Sequence, residues 1–366
     1  MSKPKRIPIE DKNYFGWLYE EQTKIKHRVL SAYAKIWISK LGKYRDTMFF
    51  DCHAGCGAYI DKNTNEVTYG SSFLVEEVAC AINEKRNRKN FICACETDIE
   101  HYSNFKKIND DIGKKTISLK NDDFEKVLYD PRVKRYYSTH PTLFFVDPFG
   151  YSMKMSSMKQ MMENRKNEVF INFMFDWINR FLSVSSPELL DNFFGSNEWS
   201  KANNLSGTER EEFLIDLYKE ELKRATKAKY VFAYRICFSD KNRTYYYLVH
   251  ATNDIQGITY MKDSFASVNY GRVEYIGKNQ DGITLFDLAS FKSADFAERF
   301  LKVFKAQSRS FDYVWAKVAD IVPYTCKDLS EALEMLQQEG KVTITRVSSK
   351  RGQYKGHDLI KFGDNI

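Results

Sequence analysis

The 366-residue chain has no run of about 18 apolar residues and no leader-like apolar segment at its start. That excludes a helical membrane span and a signal peptide and leads to the expectation of a soluble, cytoplasmic protein. It also lacks low-complexity tracts and fixed-period repeats, so arrays and solenoids are excluded. Its seven cysteines include no C-x-x-C pair and no nearby His-rich spacing. An odd number lying mostly inside apolar strands predicts reduced thiols and no metal site. No carboxylate-x-lysine cluster stands apart from the other acids, which argues against a restriction-type nuclease.

What is present is an ordinary globular composition. With 43% hydrophobic and 15% aromatic residues the chain can bury a large core, at a length that fits two or three domains. The net charge of +7 is compatible with a polyanionic partner without requiring one. Lys3, Lys5 and Arg6 read as a mobile tail. The stretch from about Tyr14 to Leu41 reads as a helix whose apolar stripe is Ile25, Val29, Tyr33, Ile36 and Trp37. Lys26 and His27 lie on it, either on a solvated face or leaning over the following strand toward a ligand.

The chemistry is organised around Met48–Gly57. The apolar run Met48-Phe49-Phe50 ends in Asp51 and continues through Cys52-His53-Ala54 to Gly55-Cys56-Gly57. A buried parallel strand running into glycines separated by one residue makes a tight turn in which backbone approaches a ligand closely. Phe91–Cys95 is a second such strand ending at Glu96, an acid placed to accept ribose hydroxyls. The Gly57-to-Glu96 spacing exceeds the dinucleotide fingerprint, so the polar stretch from about Asp61 to Gly70 is an insertion. NAD is disfavoured and S-adenosylmethionine remains. Ser71 or Ser72 is a natural N-cap for the helix that follows.

Ile117-Ser118-Leu119 reads as a third strand, and Asp122 and Asp123 after it are placed to accept from an adenine amino group. Thr142–Val146 is a fourth, running into Asp147-Pro148-Phe149-Gly150. Four polar strand ends in this order point to an adenosine-containing ligand in the crevice of an open α/β sheet. Glu168–Phe173 is a fifth strand; its Asn172 bonds either the Asp147 loop or a neighbouring strand end. Tyr230–Phe238 and Thr244–His250 form the last hairpin, with Tyr245, Tyr246 and Tyr247 read as packing residues.

Taken together, Lys26-His27, Asp51-x-His53-Ala54-Gly55-x-Gly57-x-Tyr59, Gly70-Ser71, Glu96, Asp122 and Asp147-Pro148 resemble the ordered motifs of the ribosomal RNA adenine-N6 methyltransferase J family. The whole chain, over about residues 14 to 360, is more similar still to the three-Cys-motif partner proteins, through Asp-Pro-Phe-Gly and the stretch Tyr246–Asn253, Gly257, Met261 and Lys262. The resemblance implies a Rossmann-like class I methyltransferase sheet and S-adenosylmethionine as cofactor. It places His27, Asp51, His53, Gly55, Gly57, Ser71, Glu96, Asp122 and Asp123 at the cofactor. Asp147 becomes the catalytic acid, with Pro148 and Phe149 beside it. A carboxylate and a backbone carbonyl accepting both N–H groups of an exocyclic amine localise its lone pair toward the methyl sulfonium. The family motif is Asp-Pro-Pro-aromatic, whereas this chain has Asp147-Pro148-Phe149-Gly150, with Phe149 or the displaced Tyr151 left to stack on a base.

The expected organisation is an N-terminal helical segment (1–46), a methyltransferase domain (47–182 and 229–306), a helical insertion (183–228) and a C-terminal winged helix (307–366). The insertion suits a lid or a dimer surface. In the winged helix, Arg346, Lys350, Arg351 and Lys355 are placed to meet nucleic-acid phosphates, although the same module also docks proteins. Two functions follow: methylation of a nucleic-acid amine, or an accessory subunit whose protein partner carries a three-cysteine motif resembling radical S-adenosylmethionine enzymes.

Overall fold

The computed structural model describes residues 5–83, 89–113, 116–237, 243–269, 301, 303–320, 324–347 and 356–363. Residues 270–300 of the expected methyltransferase domain, and Lys350, Arg351 and Lys355 of the expected phosphate contacts, lie outside them.

Seven strands form the central sheet: β3 (Thr47–Asp51), β6 (Asn90–Cys95), β7 (Ile117–Lys120), β8 (Thr142–Val146), β9 (Glu168–Phe173), β10 (Tyr230–Cys237) and β11 (Thr244–Thr252). Their order is β10-β11-β9-β8-β3-β6-β7. Five are parallel, while β11 runs antiparallel between β9 and β10. This is the Rossmann-like open α/β sheet that the resemblance implies. Strand β3 has β6 on one side and β8 on the other, so the chain reverses direction of growth there and leaves a crevice at the carboxyl ends.

The strands carry this position because both faces are covered. Every residue of β3, β8 and β9 is buried, as expected of parallel strands between two helical layers. Alternate residues serve opposite layers. Phe49 and Phe145 stack at 6.3 Å on the side of α1 (Glu21–Leu41) and α2 (Ser71–Asn83). Phe50 and Phe144, 5.3 Å apart, face the layer that includes α6 (Met155–Met161) and the insertion. Between β9 and β10, α8 (Pro187–Phe194) and α9 (Gly207–Thr226) bury Phe193, Phe194 and Tyr218. All seven cysteines are free thiols, Cys52, Cys93 and Cys95 sharing one core cluster.

Three expectations need correction. Helix α1 begins at Glu21, and the stretch before it is β2 (Phe15–Leu18). Arg6 belongs to β1 (Arg6–Pro8), where it pairs with β2 and bonds Glu100, so it is not tail. The polar stretch after the glycines is a hairpin of β4 (Ala58–Ile60) and β5 (Val67–Tyr69). Together β1, β2, β4 and β5 form a second, four-stranded sheet.

At the C-terminus, helices Phe311–Val318 and Cys326–Gln338 pack on a small sheet of order β12-β14-β13, made of Ser308–Ser310, Leu359–Phe362 and Val342–Thr345. Thr325 and Asp328 form a reciprocal capping box at the second helix. Its apolar core runs on into Phe232 and Ile258. Trp315 donates to Thr259 Oγ1 at 2.7 Å. No helix among the described residues is long and apolar enough to cross a membrane.

Candidate functional site at the strand ends

The loop after β3 is shaped by its glycines. Gly55 and Gly57 have φ of +66° and +88°, conformations that a side chain disfavours. Space is tight as well: an ideal Cβ on Gly55 would lie 2.8 Å from the Trp17 ring, a clash, and one on Gly57 would press on Phe105 at 3.0 Å. Ala54 N–H donates to the Cys95 carbonyl and Cys52 N–H to the Phe145 carbonyl, both at 2.9 Å. The loop is thus pinned to both neighbouring strands.

Asp51 is wholly buried. Its Oδ2 accepts from the Ser71 and Ser72 hydroxyls at 2.5 and 2.7 Å, and its Oδ1 from the His53 amide at 3.3 Å. Burial pushes its carboxyl up to about 6 against the pull of those donors. The two serines are therefore not helix caps: their hydroxyls go to the buried carboxylate at the start of α2.

Glu96 closes the loop from the next strand. Its Oε2 accepts from Gly55 N–H at 2.9 Å and its Oε1 from Asp98 N–H at 2.8 Å. Bound in this way, it is oriented with lone pairs left for hydroxyls. Asn121 Nδ2 donates to the Glu96 carbonyl at 2.9 Å, which ties the end of β7 to it. Asp122 is exposed and paired with Lys126 at 3.1 Å, and Asp123 caps α4 (Phe124–Tyr129) by accepting from Glu125 N–H. Both follow β7 beside Glu96.

At the end of β8, Asp147 is gripped from two sides. Asn172 Nδ2 donates to its Oδ1 at 2.6 Å, and the Lys26 ammonium bonds its Oδ2. This settles the alternatives left open for Asn172. Burial raises the Asp147 carboxyl, but the Lys26 charge and the two donors outweigh it and hold it below the usual carboxylate range. Pro148 is buried and Phe149 is 62% exposed. Gly150 has φ +83°, and a Cβ there would lie 2.7 Å from Trp177. Tyr151 is buried, its hydroxyl bonding the Ile178 carbonyl at 3.0 Å. Of the two rings proposed for base stacking, only Phe149 is accessible.

His27 is not on a solvated face: it is 2% exposed, with Tyr19 Oη 3.2 Å from its Nδ1. Burial lowers its imidazole to about 3 and that of His53 to about 4, so both are neutral. Three buried polar atoms around the crevice have no protein partner among the described residues: Trp17 Nε1, His53 Nδ1 and Asn172 Oδ1. Such orphans cost free energy unless a ligand meets them. Arg346 lies far along the chain in the C-terminal unit, where it is bonded to Glu334 at 3.3 Å.

Sequence reasoning missed Trp17, Ser72 as an Asp51 ligand, and Lys26 as the counter-ion of Asp147. For Lys26 the signal was available: with Ile25, Val29, Leu30 and Tyr33 buried, the helical period puts residue 26 on the same inward face.

No family model matches the chain, and no curated protein does. Solved structures similar to it include Trm1 from Pyrococcus horikoshii, determined with S-adenosyl-L-methionine, at 8% identity over 97% of this chain and 96% of that one, TM-score 0.40. An rRNA methylase from Streptococcus thermophilus aligns at 8% identity over 64% of this chain and 98% of its own, TM-score 0.33. A SAM-dependent methyltransferase from Agrobacterium tumefaciens aligns at 8% identity over 69% and 71%, TM-score 0.37.

Proposed function

We propose that the protein is an S-adenosylmethionine-dependent methyltransferase acting on an exocyclic amine of a nucleic-acid base, with adenine-N6-like chemistry. The observation that carries this reading is the meeting of Asp51, Glu96 and Asp147 at the carboxyl ends of β3, β6 and β8, around a loop that must be glycine at residues 55 and 57. The unpartnered Trp17 Nε1, His53 Nδ1 and Asn172 Oδ1 fit a polar ligand in the same crevice.

Glu96 would hold the ribose hydroxyls, with Asp122 and Asp123 near the adenine. His27 and His53 would flank the amino-acid end, Gly55 and Gly57 would admit the ligand against backbone, and Ser71 would keep Asp51 in place. When bound, the cofactor supplies an electrophilic methyl group. Asp147 and the Pro148 carbonyl would accept the two N–H groups of the amine and direct its lone pair, while Phe149 offers the exposed ring on which a base stacks. The C-terminal helices and strands would act as a winged helix. Arg346, Lys350, Arg351 and Lys355 would meet phosphates, in keeping with the net charge of +7.

A second reading, an accessory subunit for a three-Cys-motif partner, is favoured by the Lys26 grip on Asp147 and by the burial of Tyr151. Transfer of tritiated methyl from S-adenosylmethionine to RNA and DNA separates the two. Label in a polymer that disappears in Asp147→Ala supports the enzyme. Ligand binding without label in any polymer favours the accessory role.

A further inference from the structure

The crevice is walled by rings, of which the proposed chemistry uses only Phe149 and His27. The Trp17 indole stands at the centre of them, edge-on to His101 at 5.0 Å, Tyr59 at 6.0 Å and Phe149 at 6.1 Å between centroids. Tyr59 extends the row to His27 at 5.0 Å and Tyr19 at 5.3 Å. These residues come from β2, β4, α1, α3 (Ile99–Asp111), the link between β2 and α1, and the loop after β8, so no local sequence rule brings them together.

The row spans a defined gap. His101 Nδ1 lies 3.9 Å from Glu96, and Phe149 follows Asp147 by two residues. A nucleoside held at Glu96 and reaching toward Asp147 would pass along this wall. Trp17 is only 6% exposed. The benzenoid edge of its indole lies on Gly55, and its Nε1, on the far edge, has no partner among the described residues.

The electrostatics favour a cation. Asp51, Glu96 and Asp147 line the crevice, with Lys26 committed to Asp147, and His27 and His53 add no positive charge because burial keeps them neutral. Electron-rich ring faces in a water-poor pocket attract a positive centre.

We propose that this aromatic wall, centred on Trp17, selects the sulfonium form of the ligand over the neutral thioether that remains after methyl transfer. The inference rests on the methyl-donor reading above and adds a specificity-determining residue to it. A desolvated cation against indole is worth about 5- to 30-fold in affinity, enough to favour donor over product at the same site.

The test titrates the full chain with S-adenosylmethionine, sinefungin (an amine cation in place of the sulfonium) and S-adenosylhomocysteine. The native protein is compared with Trp17→Phe and Trp17→Leu, with thermal melts to confirm folding. The native chain is expected to bind both cations at least about 5-fold more tightly than the thioether. Trp17→Leu brings that ratio to within about 2-fold with thioether affinity little changed, and Trp17→Phe lies between. If Trp17→Leu does not fold, Trp17→Phe decides. Equal native binding of all three ligands, or a ratio untouched by the substitutions, overturns the inference and leaves the methyl-donor reading standing. Binding of none of them removes both.

Discussion

Asp51 shows at a single residue how the site is tuned. Wholly buried, it holds a proton up to about pH 6, whereas in the unfolded chain it gives that proton up near pH 4. The stability that comes from protonation is fully present below about pH 4 and is lost as pH rises to about 6. Ionised Asp51 therefore costs the folded state roughly 3 kcal/mol at neutral pH. In Asp51→Asn this titration is gone. The variant's stability relative to the native chain is expected to rise by about 1.4 kcal/mol per pH unit between pH 4 and 6, then level off, in urea unfolding at a series of pH values. A difference that is flat across the window would show an ordinary carboxyl. Asp51 was legible in the sequence as an acid ending an apolar strand. Its partners were not: Ser71 and Ser72 sit where a helix cap belongs, but a desolvated carboxylate gains more from two hydroxyls than a helix start does.

One buried side chain joins the strap of β1 and β2 to α3 and the glycine loop at once. Asn104, 3% exposed on α3, accepts from Phe15 N–H and donates to the carbonyls of Phe15 and Cys56, each at 2.8 Å. It therefore joins the strap, α3 and the glycine loop. Asn104→Ala removes this partner from the buried Cys56 carbonyl and from two half-buried backbone groups of Phe15, a loss of about 2 to 4 kcal/mol in denaturant unfolding, with ligand affinity falling as Trp17 loosens. Loss of stability below about 0.5 kcal/mol would show that the strap is held elsewhere. The strap also marks where sequence reasoning stopped. Phe15–Leu18 is too short and apolar for its period to separate strand from helix. What makes it a strand is pairing with Arg6–Pro8 and, in parallel, of Trp17 with Tyr59, a contact some forty residues away. The central strands had no such ambiguity, because an unbroken apolar run ending in an acid has one place in an open α/β sheet.

Across the whole molecule, the sheet order brings residues 51, 96 and 147 to one edge although they are spread over nearly a hundred positions. Their shared location was readable from strand ends alone. The aromatic wall was not, since its rings come from the second sheet and from helices whose placement depends on the finished fold. This edge is expected to bind an adenosyl ligand through Glu96. Isothermal titration of the native chain and of Glu96→Gln with S-adenosylhomocysteine tests it most directly. Binding in the micromolar range is expected for the native chain, weakened about 10-fold or more in the variant as ribose hydroxyls lose their charged acceptor and Gly55 its hold. Absence of binding to the native chain, or equal affinity in Glu96→Gln, would contradict it.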